Sequence, residues 1–152
     1  MAQRTTSTTG VTVEEFRGII RDSLPFAAAF GADIVEMGDG RAIATLPFKR
    51  DFLRPGGTIG GPLLMMLADL VLYAAVLSVI GRVELAVTSS LTINFLRKPP
   101  PAGIRAEAKL LKLGSRLAVG EVALYTDDHA EMVAHVVATY ALPPRENLQG
   151  SR

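Results

Sequence analysis

The sequence predicts an α+β fold in which a curved antiparallel sheet wraps around one long apolar helix. Three observations predict it. Pro62 to Ile80 is an almost wholly apolar run interrupted by one charged residue, Asp69, the pattern of a helix that protein surrounds on every side. From Leu85 onward the hydrophobic period changes to two, the period of strands. Four such strands follow the helix, and nothing else in the chain can cover it.

The elements follow in chain order. The 152 residues, 49% hydrophobic and 20% charged, suit one domain with a real core, expected over residues 11–142 between flexible tails at 1–10 and 143–152. Thr12-Val-Glu-Glu15 has capping-box spacing, and Val13, Phe16 and Ile20 recur at helical intervals, so a short helix should end near Leu24-Pro25. A hairpin comes next. Ala32 to Met37 and Arg41 to Pro47 flank Gly38-Asp39-Gly40, whose glycines allow positive φ. A glycine-rich turn from Arg54 to Gly61 opens the central helix, with Pro62 in its first turn and Gly81 as its stop.

After the helix, Leu85, Val87, Leu91, Ile93 and Phe95 fall on one face of a long strand, with Thr88, Ser90, Thr92 and Asn94 on the other. Pro99-Pro100-Pro101 stops it. Ile104 to Leu113, Leu117 to Thr126 and Glu131 to Leu142 complete the strands, the last entered through an Asp127-Asp128-His129-Ala130 turn.

Composition excludes several function classes. The net charge is +1 and the basic residues are scattered, which gives no stripe for nucleic acid. The absence of cysteine removes disulfides, thiolate metal sites and a Cys nucleophile together, and fits a reducing compartment such as the cytoplasm. The first ten residues are polar and lack the apolar core of a secretory signal. Pro62 to Ile80 is nearly long enough to cross a bilayer, but a central Asp disfavours insertion by roughly 2.5 to 3.5 kcal/mol, so no membrane association is expected. Gly-x-Ser-x-Gly, phosphate-cradling Gly-x-x-x-x-Gly-Lys and His-Glu-x-x-His motifs are all missing. His129 and His135 each stand alone in the sequence, so no triad or metal site is read from them.

Asp69 is the informative residue. A carboxylate in an apolar helix costs several kcal/mol unless it is partnered, which implies a structural hydrogen bond, for example from Tyr73 one turn on, or a chemical task. Met65 and Met66 read as core filler or pocket lining.

Gly57-Thr58-Ile59-Gly60-Gly61-Pro62 followed by Leu67-Ala68-Asp69 resembles the turn-helix motif of hotdog-fold acyl-CoA thioesterases of the phenylacetyl-CoA thioesterase type. There Gly-Thr-x-His-Gly-Gly leads into Leu-Ala-Asp. The element order is similar from Thr12 to Leu142, and both Leu91 to Pro99 and Gly114-Ser115-Arg116 look like that family's strand and turn. The resemblance implies hydrolysis of an acyl-CoA thioester, with a medium aliphatic or aromatic acyl group expected from the apolar lining. It implies no cofactor beyond the coenzyme A of the substrate, and no metal.

Residue by residue, the resemblance implies that the Gly61 N–H at the helix start polarises the thioester carbonyl and that Asp69 acts as base or nucleophile. Two turns, roughly 11 Å, separate them, so one helix does not bring both to one carbonyl. The resemblance therefore implies a homodimer, or a homotetramer as a dimer of dimers, whose sites combine the helix start of one subunit with the Asp of the other. Thr88 matches a position where relatives use a small hydroxyl to hold water, while Ser89 falls on the apolar face by parity. Arg54 stands where some relatives carry Asn, Gly60 where the family has His, and Pro62 where it has a second Gly. Arg97, Lys98 and Arg116 read equally as ordinary solvated charges or as contacts to the coenzyme A phosphates, and Met65 and Tyr73 are expected beside the acyl group. The missing His leaves open a non-catalytic acyl-CoA or fatty-acyl binding protein, and counts against the third expectation, a hotdog hydratase or dehydratase, which in that branch usually needs a His beside the carboxylate.

Overall fold

Thr12 opens helix α1 (Val13–Ser23) as its spacing predicts: its hydroxyl accepts the Glu15 N–H at 3.2 Å and donates to the Glu15 carboxylate at 3.1 Å. Phe16, Ile19 and Ile20 are its buried stripe. The computed structural model describes residues 10–127 and 129–144. The tails expected at 1–10 and 143–152 lie mostly outside the described residues, as does Asp128 of the expected turn. Gly10 itself packs on the central helix, where a Cβ would run into the Ser78 carbonyl, and Val11 donates to the Leu77 carbonyl at 3.2 Å.

A second short helix, α2 (Pro25–Phe30), was not expected from the sequence. Pro25 ends α1 but also fits the first position of a new helix, and Gly31, at φ +83°, closes it. Strands β1 (Asp33–Gly38) and β2 (Arg41–Leu46) form the expected hairpin. Its two-residue turn holds Asp39 at φ +51° and Gly40 at φ +76°, the primed geometry that matches strand twist.

The glycine-rich turn carries more structure than glycine content suggests. β3 (Leu53–Arg54) and β4 (Thr58–Ile59) pair across it, the Ile59 N–H donates to Pro99 O at 3.1 Å, and the Gly60 N–H donates to Phe52 O at 2.9 Å. These bonds anchor the entry to α3 (Gly61–Ile80), which begins one residue before Pro62. Gly81, at φ +87°, ends it.

Four long strands follow: β5 (Val87–Phe95), β6 (Ile104–Leu113), β7 (Leu117–Thr126) and β8 (Met132–Ala141). The six-stranded antiparallel sheet has the order β1-β2-β6-β7-β8-β5. Strand β5 therefore crosses to the far edge and pairs with β8, not with its sequence neighbour β6. Its other edge is unpaired in the single chain.

Size complementarity seats α3 in the curved sheet. The helix presents buried Leu64, Leu67, Leu72, Val76 and Leu77, while the sheet's inner face offers buried Ala42, Ala44, Ala106, Ala108, Ala118 and Ala138. Gly120 extends the pattern, since a Cβ there would collide with Leu72. Large side chains on the helix and small ones on the sheet let the two backbones approach closely, and each fully buried leucine contributes roughly 1.5 to 3 kcal/mol. The helix is long and apolar enough to cross a membrane, yet here the sheet buries it.

One irregularity overturns a parity argument. β5 starts at Val87, not Leu85, because the Ala86 N–H turns back to Val83 O at 3.0 Å and Tyr73 donates to Glu84 O at 3.0 Å. A bulge then falls between Thr88 and Ser90. The extra residue shifts the alternation by one. Thr88 thus faces Tyr140 across the ladder while Leu91, Ile93 and Phe95 face Ala138, Val136 and Ala134, and all four share the inner face. The sequence parity had set Thr88 opposite Leu91.

Candidate active site

Asp69 lies half-buried on α3 and points to the junction of β5 and β8. Its Oδ1 accepts two short hydrogen bonds, from Thr88 Oγ1 at 2.5 Å and from the Tyr140 hydroxyl at 2.6 Å. The same hydroxyl lies 2.8 Å from the Asp69 backbone carbonyl. Oδ2 receives no hydrogen bond from the described residues. Burial first, and then the Asp69 carboxylate, hold the Tyr140 phenol well above its ordinary range, so it stays a donor at any working pH.

Tyr73 is not the partner that sequence spacing suggested. Its hydroxyl is turned away to Glu84 O, and burial followed by the Glu84 charge pushes its pKa up to about 12. Its ring, 6.1 Å from that of Tyr140 and nearly parallel to it, walls the site.

A cavity of about 510 Å³ opens onto Asp69. Asp69, Thr88 and Tyr140 bring its hydrogen-bonding groups together, while Phe26, Met65, Met66, Leu70 and Leu91 supply apolar walls. Met65 and Tyr73 line it, and α2 adds Phe26, which could not be anticipated without that helix.

Gly61 does not line this cavity. Its N–H is at the first helical position, has no intrahelical acceptor and makes no hydrogen bond among the described residues. It opens instead into a second cavity of about 370 Å³ with Arg54, Arg97 and Lys98. A Cβ on Gly61 would come within 3.0 Å of the Phe95 ring, so glycine keeps this helix start accessible. Arg97 is already paired with Glu131 at 2.9 Å, whereas Arg54 and Lys98 have no ion-pair partner among the described residues.

The other expected residues divide. Gly60 caps the helix and spends its N–H on Phe52 O, and Pro62 is exposed in the first turn, so neither faces the Asp69 cavity. Arg116 is exposed in the β6–β7 turn, where its carbonyl accepts the Leu142 N–H at 2.8 Å. Leu117 pairs with Ala141, while Arg97 is bonded to Val133 at the other end of β8. Within one chain the two arginines thus stand about a strand length apart, roughly 25 Å. Arg97 and Lys98 thus lie together at the helix start, and Arg116 stands apart from them in one subunit. No histidine lines the Asp69 cavity: His135 pairs with Glu121 at 3.2 Å, and His129 lies beside Lys98 in a different hollow.

Tyr140 is the site residue that sequence reading missed. Ala134, Val136, Ala138 and Tyr140 alternate along β8, which places the phenol on the core face, and a buried tyrosine hydroxyl needs a partner. That signal was available.

The sequence profile of the thioesterase superfamily matches residues 56–133, a stretch that includes Gly61, Asp69 and Thr88 and stops short of Tyr140. A solved structure from Silicibacter sp. TM1040, a thioesterase by name, is 33% identical, with 91% of this chain and 97% of that one covered at a TM-score of 0.80. A mutant structure of the phenylacetic acid degradation protein PaaI from Thermus thermophilus is 26% identical, with 78% of this chain and 99% of that one covered at a TM-score of 0.71. A Saccharolobus solfataricus protein carrying the name esterase is 33% identical over 89 residues. That match spans 59% of this chain and 63% of the length of that relative. The curved sheet around a buried helix is the hotdog fold, and the chain belongs to the thioesterase superfamily.

Proposed function

We propose that this protein hydrolyses acyl-CoA thioesters carrying medium aliphatic or aromatic acyl groups, as a homodimer or a dimer of dimers in the cytoplasm. The observation that carries the reading is Asp69: a carboxylate with one oxygen held by two hydroxyls and the other open to an apolar cavity. An acyl group fits such walls, because every hydrogen-bonding side chain around Asp69 is already engaged with it or turned away.

Gly61 of the partner subunit supplies the second half of the site. Its N–H, at the positive end of the helix dipole, meets the carbonyl oxygen and then the oxyanion. Asp69 acts in one of two ways. As a base it takes a proton from water while the water oxygen bonds the carbonyl carbon; the C–S bond then breaks and that proton leaves on the thiol. As a nucleophile it forms an acyl-aspartyl anhydride as the thiolate departs, and water hydrolyses the anhydride. Arg54 and Lys98 at the helix start supply positive charge for the coenzyme A phosphates.

Two features favour the dimer. The outer edge of β5 has no partner strand among the described residues, and Val87 and Phe95 on it, with Leu96 just beyond, are each more than half exposed. Asp69 and Gly61 open into separate cavities of one chain.

Asp69→Asn tests the chemistry. Both hydroxyls donate to Oδ1, and an Asn amide that turns its oxygen to them keeps both bonds and directs its NH₂ into the cavity. Packing survives and the base is lost. With a panel of acyl-CoA esters and a thiol reagent, kcat should fall about a hundredfold or more with little change in KM. Unchanged turnover would end this mechanism, and ligand binding without thiol release by the native protein would mark a binding protein.

A further inference from the structure

We infer that Tyr140 is a positioning residue that, with Thr88, commits Oδ1 of Asp69 to hydrogen bonding and leaves Oδ2 as the oxygen that reacts. The inference rests on the proposed role of Asp69 and goes beyond it by naming the reacting atom and the side chain that selects it.

The argument begins with donors. A carboxylate has two chemically equal oxygens, and an unconstrained aspartate rotates them freely about its terminal bond. Here two O–H donors from different strands meet one oxygen, at 2.5 and 2.6 Å, lengths typical of hydrogen bonds to an ionised acceptor. Thr88 reaches it from β5 only because the bulge turns it inward, and Tyr140 reaches it from β8 as its cross-strand neighbour. Rotating the carboxylate would exchange the oxygens but leave the same position occupied, so the open position is fixed in space. Thr88 is thereby engaged with the carboxylate and not set aside for holding water.

Tyr140 is suited to this task. It is 2% exposed, its ring stacks on Tyr73, and its hydroxyl also lies 2.8 Å from the Asp69 carbonyl, which ties the donor to the backbone of the residue it orients. Other groups facing Asp69 do not compete. From α2 comes Phe26, from the segment before it Leu24, from β5 Val87 and Leu91, and from α3 itself Met65 and Tyr73, so among the described residues Asp69 is the one charged side chain at the cavity.

Tyr140→Phe removes the donor and keeps the ring. The kcat at neutral pH should fall about tenfold with KM within about twofold of wild type, and the melting temperature should stay within a few degrees. Thr88→Val should act in the same direction, and Thr88→Ser, which restores the hydroxyl, should recover most of the rate. A Tyr140→Phe enzyme with wild-type kcat would overturn the inference and leave the role of Asp69 standing. Loss of rate with a matching fall in melting temperature, or a Thr88→Ser variant no faster than Thr88→Val, would also overturn it, since packing damage alone does that. Full turnover in Asp69→Asn would overturn the underlying mechanism instead.

Discussion

Mixing two inactive variants should restore activity, because the proposed site takes its amide and its carboxylate from different subunits. The separation within one chain can be worked from the fold. A carbonyl oxygen about 2.9 Å from the Gly61 nitrogen, and a carbon about 3.3 Å from the attacking atom, leave a reach of about 7 to 8 Å across the C=O bond. Gly61 and Asp69 lie about two turns, roughly 11 Å, apart along α3. Their surroundings diverge further: Gly61 abuts Phe95 at one end of β5, while Asp69 bonds Thr88 at the other, roughly 20 Å of strand away. Antiparallel pairing of β5 with its own copy reverses that disparity and lays Thr88 of one subunit near Phe95 of the other. Gly61→Pro removes the N–H, and Gly61→Ala is its control, adding the same crowding against Phe95 while keeping the donor. A purified hybrid of one Asp69→Asn subunit and one Gly61→Pro subunit has one intact site and one doubly defective site, so it should show about half of wild-type turnover. An unsorted equal mixture should show about a quarter. Differently tagged subunits, refolded together and purified through both tags, allow the measurement with a thiol reagent. A hybrid no more active than its parents would refute the shared site.

Two further predictions concern the interface and the nucleotide end of the substrate. Of the registers that keep the inner faces of two β5 strands continuous, the one that lays Thr88 of one subunit near Phe95 of the other sets Leu91 opposite Ile93 and passes the two-fold axis at Thr92, whose own copy then stands directly opposite at about 4.5 to 5.5 Å between Cα atoms. The chain has no cysteine, so Thr92→Cys under mild oxidant should give one disulfide-linked dimer band on a non-reducing gel, and its absence would reject this register. Lys98→Glu should raise KM for acyl-CoA about tenfold, more at low salt than at high, and leave kcat within about twofold. The same variant should handle an acyl thioester of N-acetylcysteamine like wild type, since that substrate lacks phosphates, and an equal loss on both would exclude phosphate recognition by Lys98.

What could be read from the sequence divides by the range of the interaction that decides it. Thr12, Gly40 and Gly81 act within a few residues of themselves, and α1, the hairpin and the end of α3 stand where those residues predict. The strands β6 and β7 begin and end at the residues the sequence predicts, although a bulge between Leu110 and Lys112 interrupts the pleat of β6 without moving its limits. Asp69 was legible as a cost: one carboxylate in an apolar helix demands a partner wherever the chain folds. Which partner was not legible locally, since Tyr73 is one turn away and Tyr140 is remote, and only the crossover of β5 to the far edge of the sheet brings β8 beneath the helix at that point. Thr88 carries the same lesson through geometry. Parity along β5 set it apart from Leu91, and a single bulged residue puts them on one face, so the hydroxyl that reaches Asp69 does so through an irregularity that no period can display. The local pattern therefore carries the scaffold, while the oxygen chemistry depends on a one-residue departure from it. Deleting Ser89 would leave Thr88 and Leu91 two residues apart, and a regular pleat would then hold both on the inner face, so the one bulged residue is what hides their shared face from the sequence period.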